Sequence, residues 1–186
     1  MHFDSHGNLV GGIIQSNINV LKDELVDTFD TSNTRERNFK SLLELIELLK
    51  VNNLSNGIAS LWIDGSFCTK KINPNDIDLV ILLKPYNKSA RTIDYNANKI
   101  RNLFLEKYLD IYIAYDSKYL HDDDYIKQVM TELKAEDSTF NKEEFLKALL
   151  QNRSDIDYQM KYWMGQFGFD RNRRSKGLIS IEGESL

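Results

Sequence analysis

The stretch between residues 58 and 83 constrains this chain more than any other. It begins with Ile58-Ala59-Ser60-Leu61-Trp62-Ile63, turns at Asp64-Gly65, crosses a polar connection, and enters Asp76-Ile77-Asp78-Leu79-Val80-Ile81-Leu82-Leu83. Apolar runs of this length, bounded by turn residues, read as buried strands. Leu79 to Leu83 is the longest uninterrupted apolar run and falls far short of a membrane span. Pro85 closes it. A third strand is expected at Leu109-Asp110-Ile111-Tyr112-Ile113-Ala114-Tyr115, which is rich in β-branched and aromatic residues.

Helical spacing surrounds these strands. Ile18, Leu21, Leu25, Val26 and Phe29 predict a helix over 18–29 with Asn17 as N-cap. A longer one is expected over 34–51, with Asn33 and Glu36 at capping-box spacing and a stripe of Phe39, Leu42, Leu43, Ile46 and Leu49. The spacing predicts a single helix over 92–108. Three more follow, one capped by the acidic run at 122–124, one opened by Asn141 and Glu144, and one over 156–164 ended by Gly165 and Gly168. Residues 1–14 read as a glycine-punctuated arm with one short strand, and Leu178-Ile179-Ser180-Ile181 as a last strand. Helices packed on a small sheet make this an α+β chain. Its 186 residues suit one domain, with 1–57 as support, 58–116 as the core and 117–186 as a helical extension with a basic tail.

Side chains alternate along a strand, so Asp76 and Asp78 share one face while Ile77 and Leu79 anchor the other. Two carboxylates that close repel unless a cation lies between them, and the pair suits Mg²⁺, a hard ion that also takes phosphate oxygens. Gly65 lets backbone approach a phosphate closely, and Ser66 adds a hydroxyl; Lys70 and Lys71 follow within reach. Asp110, alternating with Ile111 and Ile113, is the candidate third carboxylate. Three such groups at one sheet edge could hold two metals for an in-line phosphoryl displacement.

Gly-Ser, then Asp-x-Asp on a strand, then a lone Asp on a later strand resembles the DNA polymerase β-like nucleotidyltransferase superfamily. More narrowly, three segments resemble a family of small bacterial nucleotidyltransferase-like proteins. They are Phe3-Asp4 with Gly7-Asn8-Leu9, the Trp62-Ile63-Asp64-Gly65-Ser66-Phe67 block with Thr69-Lys70, and the closing run from Asp170 to Ile179. The resemblance implies a mixed sheet flanked by helices, two Mg²⁺ ions (or Mn²⁺), and transfer of a nucleoside monophosphate from an NTP with release of pyrophosphate. It implies that Gly65 and Ser66 hold the triphosphate, that Asp76 and Asp78 bind both metals, and that Asp110 binds the catalytic metal and helps activate the acceptor hydroxyl. The acceptor is left open between RNA, protein and a small molecule. A cognate protein partner in a toxin–antitoxin or phage-defence setting is an expectation by analogy alone. The rival expectation is a nucleotide-binding or protein-interaction module of little activity.

A net charge of −4 excludes a uniformly basic protein that coats nucleic acid. One cysteine and three histidines exclude a disulfide framework and a zinc finger. The first residues carry neither a basic segment nor an apolar core, so a cytoplasmic location without membrane contact is expected. Cys68 reads as a small buried residue, and Trp62, Trp163, Phe167 and Phe169 as core. Arg171, Arg173, Arg174 and Lys176 form the one dense basic cluster, either a solvated turn or a contact for triphosphate or a polyanionic acceptor.

Overall fold

A computed structural model describes residues 1–186. In chain order the elements are β1 (Ile13–Ser16), α1 (Ile18–Lys22), α2 (Arg35–Val51), β2 (Ile58–Asp64), β3 (Ile77–Leu83), α3 (Lys88–Tyr95), α4 (Ala97–Leu105), β4 (Leu109–Tyr115), α5 (Asp123–Glu136), α6 (Lys142–Phe167) and β5 (Leu178–Glu182). The five strands form one mixed sheet in the order β1-β5-β2-β3-β4. β2 runs antiparallel to both its neighbours, while β1 pairs parallel with β5 and β3 parallel with β4. The parallel step from β3 to β4 needs a crossover, and α3 and α4 supply it.

The two faces of the sheet are covered unequally. Ile63, Leu79, Ile81, Ile111 and Ile179 pack against Leu21 and Leu25, the Phe39, Leu42, Leu45 and Leu49 stripe of α2, and Ile93, Ile100 and Phe104 of the crossover helices. This is the main core, and Cys68 lies in it as expected. On the other face a smaller cluster joins Trp62, Val80, Leu82, Ala114 and Leu178 to Phe167 of α6. A third cluster, around Leu120, Ile126 and Leu149, ties α5 to α6.

Several element ends differ from the sequence reading. Asn17 caps α1, its side chain accepting from the Val20 amide at 3.0 Å, but after Lys22 the helix widens into a π-helical turn, Asp23–Asp27. Asn33 does not cap α2. Ser32 Oγ accepts from the amides of Thr34 and Arg35 instead, while the Asn33 amide donates to Asn73 Oδ1. Leu43 faces solvent and Leu45 takes its place in the core. The helix expected over 92–108 is two helices meeting at Asn96, whose side chain donates to the Thr92 carbonyl. The two helices expected after Asn141 are one 26-residue helix, and Gly165 lies within it. Phe169 is exposed rather than core. Asp122 and Asn141 cap α5 and α6 as expected. No helix is long and apolar enough to cross a membrane.

Candidate active site

The strand register places the carboxylates. Asp64 at the end of β2 lies opposite Asp78 at the start of β3, and Asp78 lies opposite Asp110 at the start of β4. One row of three aspartates therefore crosses three adjacent strands, on the face that also carries Trp62, Val80 and Tyr112. Asp76 stands one pleat before Asp78. The residues leading to it are held by the first turns of α2, because Asn38 Nδ2 donates to the Pro74 carbonyl at 3.1 Å and Arg37 Nη2 to the Asn75 carbonyl at 3.2 Å.

Gly65 links the row to the turn that follows β2. Its φ is +73°, and a Cβ at this position would overlap the carboxylate of Asp78. Glycine is thus required both by the backbone and by the neighbouring acid. Beyond it, residues 65–68 form a short 3₁₀ turn that presents Ser66. Arg35, fully buried, fixes this segment from behind. Its Nη1 donates to the carbonyls of Leu25 and Phe67 at 2.7 and 2.8 Å, and its Nη2 to those of Thr69 and Lys71, both at 2.7 Å. The guanidinium stacks 3.8 Å from the Phe29 ring centroid. Burial without a carboxylate partner pulls its pKa down to about 10.

A cleft of about 690 Å³ opens over the row. Gly65, Ser66, Asp76, Asp78 and Asp110 line its sheet side, and Tyr162, Trp163 and Gln166 of α6 with residues 169–172 line the other. Burial first, and then the charges of Asp76 and Asp110, raise the pKa of Asp78. Asp110 Oδ2 accepts a 2.7 Å hydrogen bond from the Tyr112 hydroxyl. That bond, with burial and the same carboxylate charge, pushes the phenol up to about 12.

The expected basic residues separate. Lys70 turns away from the cleft, its ammonium 5.9 Å from the Phe3 ring centroid, and Lys71 lines the cleft in its place. Of the tail cluster only Arg171 and Lys176 reach the cleft wall. Arg174 is bound by Asp170, with Nε to Oδ2 at 2.9 Å, and Arg173, on a left-handed backbone with φ +61°, is exposed outside the cleft wall. Lys176 is not a surface cation. It is buried in an ion pair with Asp64, Nζ to Oδ1 at 2.9 Å. Burial raises the Asp64 pKa to about 6 even against the opposing effect of Lys176. Asp64 was missed in sequence because Asp-Gly after a strand reads as a turn. The usable signal is its parity with Trp62 on the strand.

A divalent ion can be tested against this donor set. All the candidate ligands are carboxylate oxygens, the hard donors that Mg²⁺ prefers. No group of three or more His, Cys, Asp or Glu side chains is gathered into a finished metal shell. The like charges that raise the Asp78 pKa are those a cation would offset, so the residues fit such an ion chemically.

No curated protein and no solved structure matches the chain. Residues 1–182 match the profile of DUF6932, described as a family of unknown function. A match over nearly the whole length shows the relationship: the chain belongs to the DUF6932 family.

Proposed function

We propose that this protein is a Mg²⁺-dependent nucleotidyltransferase with a nucleotidyltransferase-like fold, moving a nucleoside monophosphate from an NTP to an acceptor hydroxyl. The observation that carries the reading is the register of Asp78 with Asp110, with Asp76 one pleat outward and the Gly65–Ser66 turn beside them, all lining one cleft. Asp76, Asp78 and Asp110 would hold the metal ions, which would offset charge on the triphosphate and at the attacking and leaving oxygens. The 65–66 turn receives the outer phosphates on a rigid backbone, with the Ser66 hydroxyl as a further donor. Asp110 has one oxygen engaged by Tyr112 and the other free to take the proton of the acceptor hydroxyl. The new bond joins the acceptor oxygen to the α-phosphorus, the α–β anhydride bond breaks, and pyrophosphate leaves with the bonding electrons.

Incubation with each α-³²P-labelled NTP and total cell lysate tests the reading. Labelled product and pyrophosphate are expected with Mg²⁺, neither with EDTA, and neither from Asp78→Asn. Nucleotide binding without pyrophosphate release in the presence of lysate would instead identify a binding module.

A further inference from the structure

Three large aromatic side chains on the C-terminal half of α6 and just past its end stand in solvent. Tyr158 is 73% exposed, Tyr162 51% and Phe169 50%. Tyr158 and Tyr162 are four residues apart and share one helix face. Tyr162 and Phe169 line the cleft, whereas Tyr158 lies one helical turn outside it. Gly165, between Tyr162 and Phe169 in sequence, has open space where a side chain would start. A single exposed aromatic is ordinary, but a series that begins inside a cleft and continues out of it marks a contact surface.

The local charge points to the occupant. The chain is acidic overall, at −4. Here, however, Asp170 holds Arg174, Asp64 holds Lys176 and Asp157 faces His121, while Lys161, Arg171 and Arg173 are exposed with no carboxylate at ion-pair distance. A lone nucleotide in the cleft would leave Tyr158 unused. A strand of successive planar bases on an anionic backbone would use the aromatic series and the cations together. We infer that the acceptor is a single-stranded polynucleotide, its bases stacked on Tyr158, Tyr162 and Phe169 and its phosphates met by Lys161, Arg171 and Arg173. This rests on the transfer reading above, with the terminal hydroxyl of the strand as the attacking group.

The test is fluorescence anisotropy of the full chain with 5′-fluorescein-labelled rU₁₂ and dT₁₂ in EDTA, so that binding is read without transfer. Binding is expected, tighter than to a duplex of equal length. Tyr158→Ala should weaken it by about fivefold to a hundredfold, the loss of one stacked base, and Tyr158→Phe should retain it. Replacing Arg171 and Arg173 by Ala should flatten the slope of log affinity against log salt by about 0.7 per cation. These side chains are exposed, so unchanged thermal unfolding is expected of every variant. Absence of strand binding, equal affinity for duplex, or indifference to Tyr158→Ala would each overturn the inference. Strand binding without pyrophosphate release on addition of NTP, Mg²⁺ and lysate would uphold the surface and remove the transfer reading. Label passing to a protein or small molecule, with no strand binding, would remove this inference alone.

Discussion

The buried ion pair between Asp64 and Lys176 gives the sharpest energetic expectation. Its partners come from β2 and from the turn before β5, and their side chains are only 5% and 8% exposed. Lys176→Met leaves a carboxylate without a counter-charge next to Asp78, and Asp64→Val leaves a buried ammonium. Breaking a pair from one side costs about 3–5 kcal/mol, because the remaining charge loses its partner without regaining water. For a chain of this length that corresponds to a fall in Tm of about 6–20 °C. The double variant removes both charges and leaves apolar groups of similar bulk, so it should unfold within about 1–2 kcal/mol of the wild type. Urea unfolding of all four proteins, with m-values compared, measures the coupling between the two sites. A double variant that costs the sum of the single ones would refute the reasoning, as would a Lys176→Met variant that costs less than about 1 kcal/mol.

Asp76→Asn and Asp78→Asn should each abolish Mg²⁺-dependent transfer and the thermal shift produced by Mg²⁺ with NTP. Without metal, Asp78→Asn should be as stable as the wild type or more so, because burial and two like charges already raise the Asp78 pKa; thermal unfolding in EDTA reads this directly. Gly65→Ala should cost more than about 1 kcal/mol in urea unfolding, since φ is +73° and the new methyl group meets the Asp78 carboxylate. Asp170 has its pKa lowered to about 2, chiefly by the hydrogen bond from Asn8, then by the Arg174 amide. Its folded pKa lies below the unfolded value, so its contribution to stability is complete above about pH 4 and is lost as pH falls towards 2. The stability deficit of Asp170→Asn should accordingly be constant near neutrality and vanish in acid, as followed by denaturant unfolding at a series of pH values.

What could be read in the sequence was set by local patterns. β3 and β4 declare themselves because their apolar residues run nearly unbroken and Asp78 and Asp110 interrupt them on one parity, which the register then aligns. Contacts between distant residues left weaker traces. Arg35 looks like any cation in the first turn of an amphipathic helix, and nothing nearby in sequence announces that its acceptors are carbonyls at 25, 67, 69 and 71. Lys176 reads as one of four clustered cations, and its partner lies at position 64. The polar run Asn152-Arg153-Ser154-Asp155 resembles a helix break. Within α6 it stays helical because Asn152 donates to the Tyr86 hydroxyl and Arg153 to the Leu120 carbonyl. Lys70 and Lys71 are equivalent in sequence, but only Lys71 lines the cleft.

The four carbonyls gathered by Arg35 also decide which side of the cleft can move. They join the π-helical turn, α2 and the 65–71 segment into one unit, so the turn that bears Ser66 has no hinge of its own. The opposite wall is held differently: α6 meets the sheet through the smaller cluster around Trp62 and Phe167, and residues 169–172 follow it in the Asp170 turn, which the Asn8 side chain holds by a single hydrogen bond. The cleft is therefore a stationary anvil faced by a lighter jaw. Local opening of the cleft is expected on the aromatic side, while the 65–71 segment moves only together with α2 and the π-helical turn.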